Sequence, residues 1–188
     1  MNFLGVMHSD STWWRAHMAL PQIVAGEIEN PTAGVEVGTG FGSMAIWMTR
    51  FIPTLSMLCV DSFCEYNGDD GMSDVMREDG KTVEDFVRWR FANEGDGRLS
   101  LLKTTSTEAA SIVADGSQDF VFIDADHRYE SVLNDITLWL PKVRSGGLIC
   151  GHDFCDTWPG VKRAVGELLR HLEPRVDVGS TIWHARVS

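Results

Sequence analysis

The fold is decided by one glycine-rich stretch of the chain, Glu36-Val37-Gly38-Thr39-Gly40-Phe41-Gly42-Ser43. It follows the short apolar segment Gly34–Val37 and leads into the apolar segment Ser43–Met48, so the pattern is strand, glycine turn, helix. In an open α/β sheet, this order lets a bound ligand touch the backbone at the N-terminus of a helix. The stretch therefore predicts an α/β protein with a ligand at the carboxyl end of the strand.

Two residues of the turn indicate which ligand it binds. Ser43 stands where a dinucleotide turn of the form G-x-G-x-x-G has its third glycine, and Glu36 puts a carboxylate at the strand end. That carboxylate would repel the pyrophosphate of a dinucleotide but attract the ammonium and sulfonium groups of S-adenosylmethionine. We therefore predict S-adenosylmethionine as the cofactor. The contacts predicted from the turn are Glu36, Gly38, Thr39, Gly40, Gly42 and Ser43.

Length and composition limit the function classes further. With 188 residues, of which 44% are hydrophobic and 23% charged, the chain fits a single domain over residues 1–188. Its formal net charge of −11 argues against nucleic acid as a partner, because phosphates would be repelled. The chain has no apolar run of ~20 residues for a membrane span, and Met1–His8 lacks the basic and apolar regions of a signal peptide. These features predict a cytoplasmic protein, and homo-oligomerisation stays open.

Short apolar runs alternate with helical patterns along most of the chain, which predicts a mostly parallel sheet. The predicted strands are Val35–Gly38, Leu55–Asp61, Leu99–Thr104, Phe120–Asp124, Gly147–Gly151, Arg175–Val178 and Thr181–Val187. The predicted helices between them are Ser43–Phe51, Thr82–Asn93, Thr107–Ala114, Tyr129–Leu140 and Val161–His171. Because the last two strands form a predicted hairpin around Gly179-Ser180, the seven-stranded sheet should end in an antiparallel strand.

Two further segments lie outside this alternation. The N-terminal segment 1–30 is predicted to be helical over Ser11–Gly26, with an interruption or bend near Pro21. The segment 64–95 contains the polar and acidic run Cys64–Gly80, directly after a strand end. This position predicts a lid or substrate loop, and a solvated surface insertion is the alternative.

Polar residues follow the second and third predicted strands. Asp61 and Ser62 end the second strand, and a carboxylate at this distance from a glycine turn is typical of a ribose ligand, because it accepts hydrogen bonds from both hydroxyls. The third strand leads to Thr105 and Ser106. Their hydroxyls are candidates either for the adenine edge of the cofactor or for the cap of the following helix.

The fourth and fifth predicted strands end in carboxylate and imidazole side chains. Asp124, Asp126 and His127 follow the fourth strand, and His152 and Asp153 follow the fifth. In a parallel sheet these ends are neighbours, and grouped carboxylates repel one another unless a cation lies among them. We therefore predict a divalent metal at this edge, with Mg²⁺ favoured by the oxygen ligands. Two separate loops with capping aspartates are the alternative.

Together these residues carry a resemblance to a known family. Over roughly residues 33–170 the chain resembles class I S-adenosylmethionine-dependent methyltransferases, and most of all the small metal-dependent O-methyltransferases that modify sugars and natural products such as macrolides. The motifs concerned are Val35–Ser43, Asp61, Phe122–Tyr129, Pro141–Ile149, His152-Asp153 and Trp158–Val165. The resemblance implies a Rossmann-like class I methyltransferase fold with helices on both faces of the sheet.

The resemblance also implies roles for the residues at the metal edge. Asp124 and Asp153 match metal-binding aspartates, and Asp124 also lies at the cofactor and takes part in catalysis. His127 matches the position of the general base, and a residue that caps the helix Tyr129–Leu140 is the alternative. His152 stands where the family usually has Asp or Glu. An imidazole is a poor ligand for Mg²⁺ and a good one for Mn²⁺, Fe²⁺ or Zn²⁺. Either the metal is therefore Mn²⁺ or another softer ion, or His152 is not a ligand and water takes its place.

The predicted reaction is methyl transfer to a hydroxyl group of a small molecule, such as a sugar or a natural product. Coordination to a divalent metal makes the hydroxyl proton more acidic, and His127, with a reference pKa of about 6.5, is suited to remove it. Trp158 follows the second metal loop and is a candidate for the acceptor pocket. An NAD-dependent Rossmann oxidoreductase and a non-catalytic module that binds S-adenosylmethionine are the alternative functions.

Overall fold

A computed structural model of the protein describes residues 11–64 and 82–188, with side chains from Met18 onward in the first helix. The strands are β1 (Ala33–Val37), β2 (Ser56–Asp61), β3 (Leu99–Lys103), β4 (Gln118–Ile123), β5 (Val143–Gly151), β6 (Arg175–Asp177) and β7 (Ile182–Arg186). The α-helices are α1 (Ser11–Glu27), α2 (Ser43–Phe51), α3 (Val83–Glu94), α4 (Ser106–Ile112), α5 (Tyr129–Trp139) and α6 (Pro159–Leu168). Short 3₁₀ turns follow α5 and α6, at Leu140–Lys142 and Arg170–Leu172.

The strands form one sheet in the order β3-β2-β1-β4-β5-β7-β6. Neighbours from β3 to β5 are parallel, whereas β7 pairs antiparallel with both β5 and β6. The predicted α/β fold, with its closing antiparallel hairpin, is therefore confirmed. Since the strand order reverses between β1 and β4, their carboxyl ends form the topological switch point at which open α/β sheets bind ligands.

Alternation along each strand builds two cores, one on each face of the sheet. In β4, for example, Phe120 and Phe122 point to the first face, whereas Val121 and Ile123 point to the second. The first face is covered by α1, α2 and α3, and the second by α4, α5 and α6. A sheet buried on both faces needs near-continuous apolar strands, which explains the runs from which the strands were predicted.

The helices depart from the sequence-based predictions in two places. We expected an interruption or a bend near Pro21. The helix α1 runs through Pro21 without an interruption, and one of its faces packs Leu20 and Val24 into the core, which offsets the local cost of proline. The bend stays a prediction. The N-terminal cap of α4 is Thr105, whose side chain accepts a hydrogen bond from the backbone of Glu108. Ser106 is therefore the first residue inside the helix. No α-helix in residues 11–64 and 82–188 has the length and hydropathy that a membrane crossing requires.

The predicted insertion 64–95 divides into two parts. Residues 65–81, which hold most of its acidic run, lie outside the described residues. The remainder is α3, which begins with a reciprocal capping box between Thr82 and Asp85. Because Val87 and Phe91 of this helix are buried in the first core, α3 belongs to the body of the fold. The role of the whole insertion as a lid or substrate loop stays a prediction.

A carboxyl group of α5, that of Asp135, is buried against the second core. Its side chain accepts a hydrogen bond of 2.5 Å from the hydroxyl of Ser106, which in turn accepts one of 2.8 Å from the indole nitrogen of Trp139. Burial raises the pKa of Asp135 to about 6, a rise that the charge of Asp126 adds to and the hydrogen bond from Ser106 opposes. Folding therefore keeps Asp135 neutral up to about pH 6, where the group titrates with its raised pKa.

We expect Asp135→Asn to change how stability depends on pH. The pKa of Asp135 in the folded protein lies above the unfolded value of about 3.9. Its contribution to the free energy of unfolding is therefore complete below about pH 4 and is lost as pH rises through about 6. An amide does not ionise, so it has no such loss. The free energy of unfolding of D135N should therefore rise relative to that of wild type by up to about 3 kcal/mol between pH 4 and 7. Urea unfolding across this range measures the difference, and a difference independent of pH would contradict the assignment.

Candidate functional site

The carboxyl ends of β1, β4 and β5 are aligned by backbone hydrogen bonds that continue beyond the strands. The amide of Asp124 donates to the carbonyl of Val37 at 2.8 Å, and the amide of His152 donates to the carbonyl of Ile123 at 3.1 Å. Each residue that follows one strand is therefore tied to the last residue of its neighbour. This brings the first residues of the three loops into one row at the switch point.

The turn between β1 and α2 requires its glycines. Gly38, Gly40 and Gly42 have φ values of +91°, +51° and +72°, in the left-handed region that favours glycine. A Cβ atom on Gly38 would lie 2.1 Å from the backbone oxygen of Asp124. A Cβ atom on Gly42 would lie 2.6 Å from the ring of Phe91 in α3. The glycines therefore allow the turn to touch both the metal edge and the helix that covers it.

Asp61 fixes the same turn from the end of β2. One carboxylate oxygen accepts the amide of Gly40 at 2.9 Å, and the other accepts the amide of Phe63 at 2.7 Å. The adjacent Ser62 accepts a bond of 3.3 Å from the amide of Cys64. Because each carboxylate oxygen can accept more than one hydrogen bond, Asp61 is oriented by the backbone and keeps capacity for a ligand.

Glu36, the carboxylate of the turn sequence, is buried in β1 with 2% exposure. Its Oε2 atom has no hydrogen-bond partner. Burial raises the pKa of Glu36 well above its usual range, and the charges of Asp124 and Asp61 add to the rise, while Cys59 opposes it. Glu36 is therefore a buried acid beside the glycine turn, with one oxygen that no group of the described protein pairs.

An arginine that the sequence did not single out supports the turn. Arg90 of α3 donates to the carbonyl of Phe41 at 2.9 Å and to the hydroxyl of Ser43 at 2.8 Å. The same guanidinium forms two hydrogen bonds of 3.1 Å with Glu94, one turn further along the helix. The hydroxyl of Thr39 is 3.4 Å from the carbonyl of Val60. Thr39 and Ser43, both predicted cofactor contacts, therefore have side-chain contacts within the protein itself.

The candidate contacts after β3 also have partners within the protein. Thr105 caps α4, as one of our two hypotheses proposed. The hydroxyl of Ser106 bonds to Asp135 and Trp139 in α5, and it is not the cap that we considered. A contact of either residue with adenine stays a prediction.

The metal edge combines residues that follow β4 and β5. Asp124, His152 and Asp153 each offer one ligand atom, and these atoms lie within 4.8 Å of one another. The Nδ1 atom of His152 is 3.3 Å from the carboxylate of Asp153 and 3.7 Å from that of Asp124. Asp153 reaches this position with φ of +61°, in the left-handed region that aspartate tolerates. Two carboxylates and one imidazole nitrogen can together bind a divalent cation.

His127 lies beside the same carboxylates. Its Nε2 atom is 2.7 Å from Asp153 and 3.8 Å from Asp124. The ring N–H is not directed at an acceptor, so the short contact is an ion pair without good hydrogen-bond geometry. Burial lowers the pKa of His127, but the close contacts and negative charges of Asp124 and Asp153 outweigh it and raise the pKa to about 10. The imidazolium thus supplies the positive charge that the carboxylates require.

The same balance acts on the neighbouring ionisable groups. Burial lowers the pKa of His152, but Asp153 and Asp124 outweigh it and raise the pKa. Burial raises the pKa of Asp153, but His127 and His152 outweigh it and hold the carboxyl below its usual range. The carboxylate of Asp153 is therefore balanced by the two neighbouring imidazoles.

Asp126 is not part of this cluster, contrary to our expectation of three grouped carboxylates. It accepts hydrogen bonds from the backbone and guanidinium of Arg128, and one of 2.8 Å from the hydroxyl of Ser131. These contacts turn Asp126 toward the first turn of α5, where an acidic group stabilises the helix dipole. The guanidinium of Arg128 is thereby paired with Asp126.

The β6–β7 hairpin contributes contacts that the sequence did not predict. The backbone carbonyl of Ser180 accepts a hydrogen bond from Nε2 of His152 at 3.0 Å. The indole nitrogen of Trp183 donates to the carbonyl of His152 at 3.2 Å. On the other side, Trp158 stacks on the ring of His127 with centroids 4.4 Å apart. Only tertiary structure places the hairpin here, since backbone carbonyls leave no signal in a sequence.

Comparison with known proteins agrees with this geometry. The chain belongs to the methyltransferase domain family, which matches residues 35–154 and so includes the glycine turn and the metal edge. It is therefore an S-adenosylmethionine-dependent methyltransferase. The alternative of an NAD-dependent oxidoreductase is not supported, because the family match covers the turn on which that alternative rested.

Solved structures share the fold at low sequence identity. A candidate caffeoyl-CoA O-methyltransferase from Staphylococcus aureus has a TM-score of 0.66 at 12% identity, covering 99% of this chain and 96% of that one. A TDP-rhamnose 3′-O-methyltransferase of calicheamicin biosynthesis has a TM-score of 0.64 at 14% identity, covering 98% and 83%. A methyltransferase from Podospora anserina with bound S-adenosylhomocysteine also scores 0.64 at 14% identity, covering 100% and 82%.

One curated relative matches a shorter part of the chain. It is an uncharacterized protein of Acanthamoeba polyphaga mimivirus, 39% identical over 57 residues, or 29% of this chain. The matched stretch spans about a quarter of that viral protein (26%).

We expect Gly38→Ala to abolish cofactor binding, because the new Cβ atom would collide with the backbone of Asp124 as well as strain the turn. The free energy of unfolding should fall by about 2–4 kcal/mol. Gly116→Ala is the matched control, since Gly116 has φ of +63° but nothing within 4 Å of an added Cβ. It should cost about 1 kcal/mol and leave S-adenosylhomocysteine affinity, measured by calorimetry, unchanged. Equal affinity in both variants would contradict the contact with Asp124.

Proposed function

We propose that the protein is a metal-dependent O-methyltransferase that moves the methyl group of S-adenosylmethionine to a hydroxyl of a small molecule. The observation that supports this proposal most is the grouping of Asp124, His152, Asp153 and His127 beside the glycine turn. Methyl transfer from a sulfonium needs no activation of the electrophile, so the protein has to supply alignment and a nucleophile. A metal ligand set next to an imidazole supplies both for a neutral hydroxyl.

The cofactor would lie along the edge between the glycine turn and β4. In this proposal Glu36 faces its ammonium group, the turn backbone touches its methionine part, and Asp61 holds the ribose. The remaining proposed contacts are Thr39, Ser43, Ser62, Thr105, Ser106 and Asp124. Support for Glu36 and Asp61 comes from the unpaired oxygen of one and the backbone-held carboxylate of the other.

The metal ligands would be Asp124, His152 and Asp153, which fit a divalent cation by donor type and spacing. When bound, the cation would polarise the acceptor hydroxyl and lower its pKa. The carboxylates themselves orient that hydroxyl toward the cofactor, because Asp124 is tied by its backbone to the end of β1. Mg²⁺ is the first candidate from the oxygen ligands, and Mn²⁺ is the alternative that the imidazole favours.

His127 would take the proton of the acceptor hydroxyl. In the metal-free protein the two carboxylates keep this imidazole protonated, with its pKa raised to about 10. Neutralising the same carboxylates with a cation removes the cause of that shift, so that His127 can accept a proton near neutral pH. Its stacked contact with Trp158 holds the ring in place at the rim of the site.

The acceptor is proposed to be a hydroxylated small molecule, such as a sugar or a natural product. Trp158 supports this class, because its indole is 38% exposed beside the proposed base and offers a flat apolar wall. Two of the solved structures with this fold are described as O-methyltransferases, one acting on a nucleotide-linked sugar. The net charge of −11 disfavours nucleic acid as the acceptor.

His127→Ala tests the proposed base. We expect turnover to fall by about 10²–10⁴-fold, the usual contribution of a general base, while affinity for S-adenosylhomocysteine stays unchanged. The measurement is formation of S-adenosylhomocysteine with a panel of sugars, glycosides and phenols in the presence of Mg²⁺ or Mn²⁺. His171→Ala, at an exposed position outside the site, is the control. Wild-type turnover in H127A would exclude the role of His127.

A further inference from the structure

The orientation of the His152 imidazole is fixed by a backbone carbonyl of the β6–β7 hairpin, 28 residues further along the chain. His152 has only 16% of its side chain exposed, and its Nε2 atom lies 3.0 Å from the backbone carbonyl of Ser180. A carbonyl only accepts hydrogen bonds, so Nε2 must carry a proton. When the ring is neutral, its lone pair is therefore on Nδ1, the atom that faces Asp124 and Asp153 at 3.7 and 3.3 Å.

The carbonyl that selects this tautomer is itself held firmly. Ser180 is fully buried, and both its amide and its hydroxyl donate to the carboxylate of Asp177, at 3.1 and 2.5 Å. Trp183, three residues later, donates its indole N–H to the carbonyl of His152. The hairpin thus forms hydrogen bonds with both the ring and the backbone carbonyl of His152. Rotation of the imidazole would break the bond to Ser180 and leave a buried carbonyl unpaired.

We propose that His152 binds the metal through Nδ1, held by the β6–β7 hairpin, and that the site therefore prefers a first-row transition metal such as Mn²⁺ to Mg²⁺. This inference rests on the proposed function, since it concerns the same metal. Mg²⁺ demands oxygen ligands and gives up water reluctantly, whereas imidazole nitrogen suits Mn²⁺ and its neighbours in the series. A metal-binding histidine with its other nitrogen bonded to a carbonyl is the arrangement that fixes such a ligand.

His152→Asp is the direct test, because it replaces the imidazole by an oxygen ligand of similar reach. The protein is freed of metal with a chelator, and affinities for Mn²⁺ and Mg²⁺ are measured by calorimetry with S-adenosylhomocysteine present. The ratio of Mn²⁺ affinity to Mg²⁺ affinity should fall at least ~10-fold in H152D. Pulsed electron paramagnetic resonance of bound Mn²⁺ should show imidazole nitrogen couplings in wild type and none in H152D.

Two further variants serve as controls. His171→Asp makes the same exchange at an exposed histidine, and both its affinity ratio and its nitrogen couplings should match wild type. His152→Asn keeps the residue neutral, so it should lose the couplings even if H152D perturbs the fold. Melting temperature and S-adenosylhomocysteine affinity show whether each variant remains folded.

The outcomes separate this inference from the proposed function. Metal binding without nitrogen couplings in wild type, or with couplings that persist in H152D and H152N, would overturn the role of His152. The two aspartates would then still support a metal-dependent reaction. Absence of metal binding at this site in wild type would overturn the inference and the metal-dependent part of the proposed function together.

Discussion

The arrangement of the site depends on one close approach of two backbones, between Gly38 at the end of β1 and Asp124 at the end of β4. A Cβ atom at Gly38 would lie 2.1 Å from the oxygen of Asp124, so only glycine allows this contact. The amide of Asp124 meanwhile bonds to the carbonyl of Val37. The glycine turn after β1 and the loop after β4 are therefore in direct backbone contact, so the position of each depends on the other.

Charge is the second constraint on this edge. The charges of Asp124 and Asp61 add to the burial that raises the pKa of Glu36, and Asp153 lies 2.7 Å from Nε2 of His127. Without a metal, the balance is made by His127 and His152, whose pKa values are raised by the carboxylates. A sulfonium cofactor and a divalent cation would bring positive charge to the same place. An acidic edge with titratable cationic partners thus suits the chemistry better than a permanent arginine pair, which would compete with the ligands.

The elements and the neighbourhood of the site follow from local patterns, and the contacts within the site do not. Alternating apolar runs predict the sheet, and the neighbouring strand ends predict that Asp124 lies near Asp153. The same patterns predicted that Asp126 would join this group. Its carboxylate instead accepts hydrogen bonds from Arg128, a pairing that the strand pattern does not indicate. It also missed Arg90, since its bonds to the glycine turn join residues 47 and 49 positions apart. Of the interruption or bend expected at Pro21, the interruption is absent, because core packing of α1 outweighs a local propensity.

The most direct test of this account is an anomalous diffraction map from crystals grown with S-adenosylhomocysteine and Mn²⁺. The account predicts one strong manganese peak within coordination distance of Asp124, Asp153 and Nδ1 of His152. The cofactor should lie along the glycine turn, with its ribose at Asp61 and its sulfur toward the metal. A map with the cofactor in the turn but no manganese among these three residues would contradict the central claim that the acceptor hydroxyl is activated by a metal.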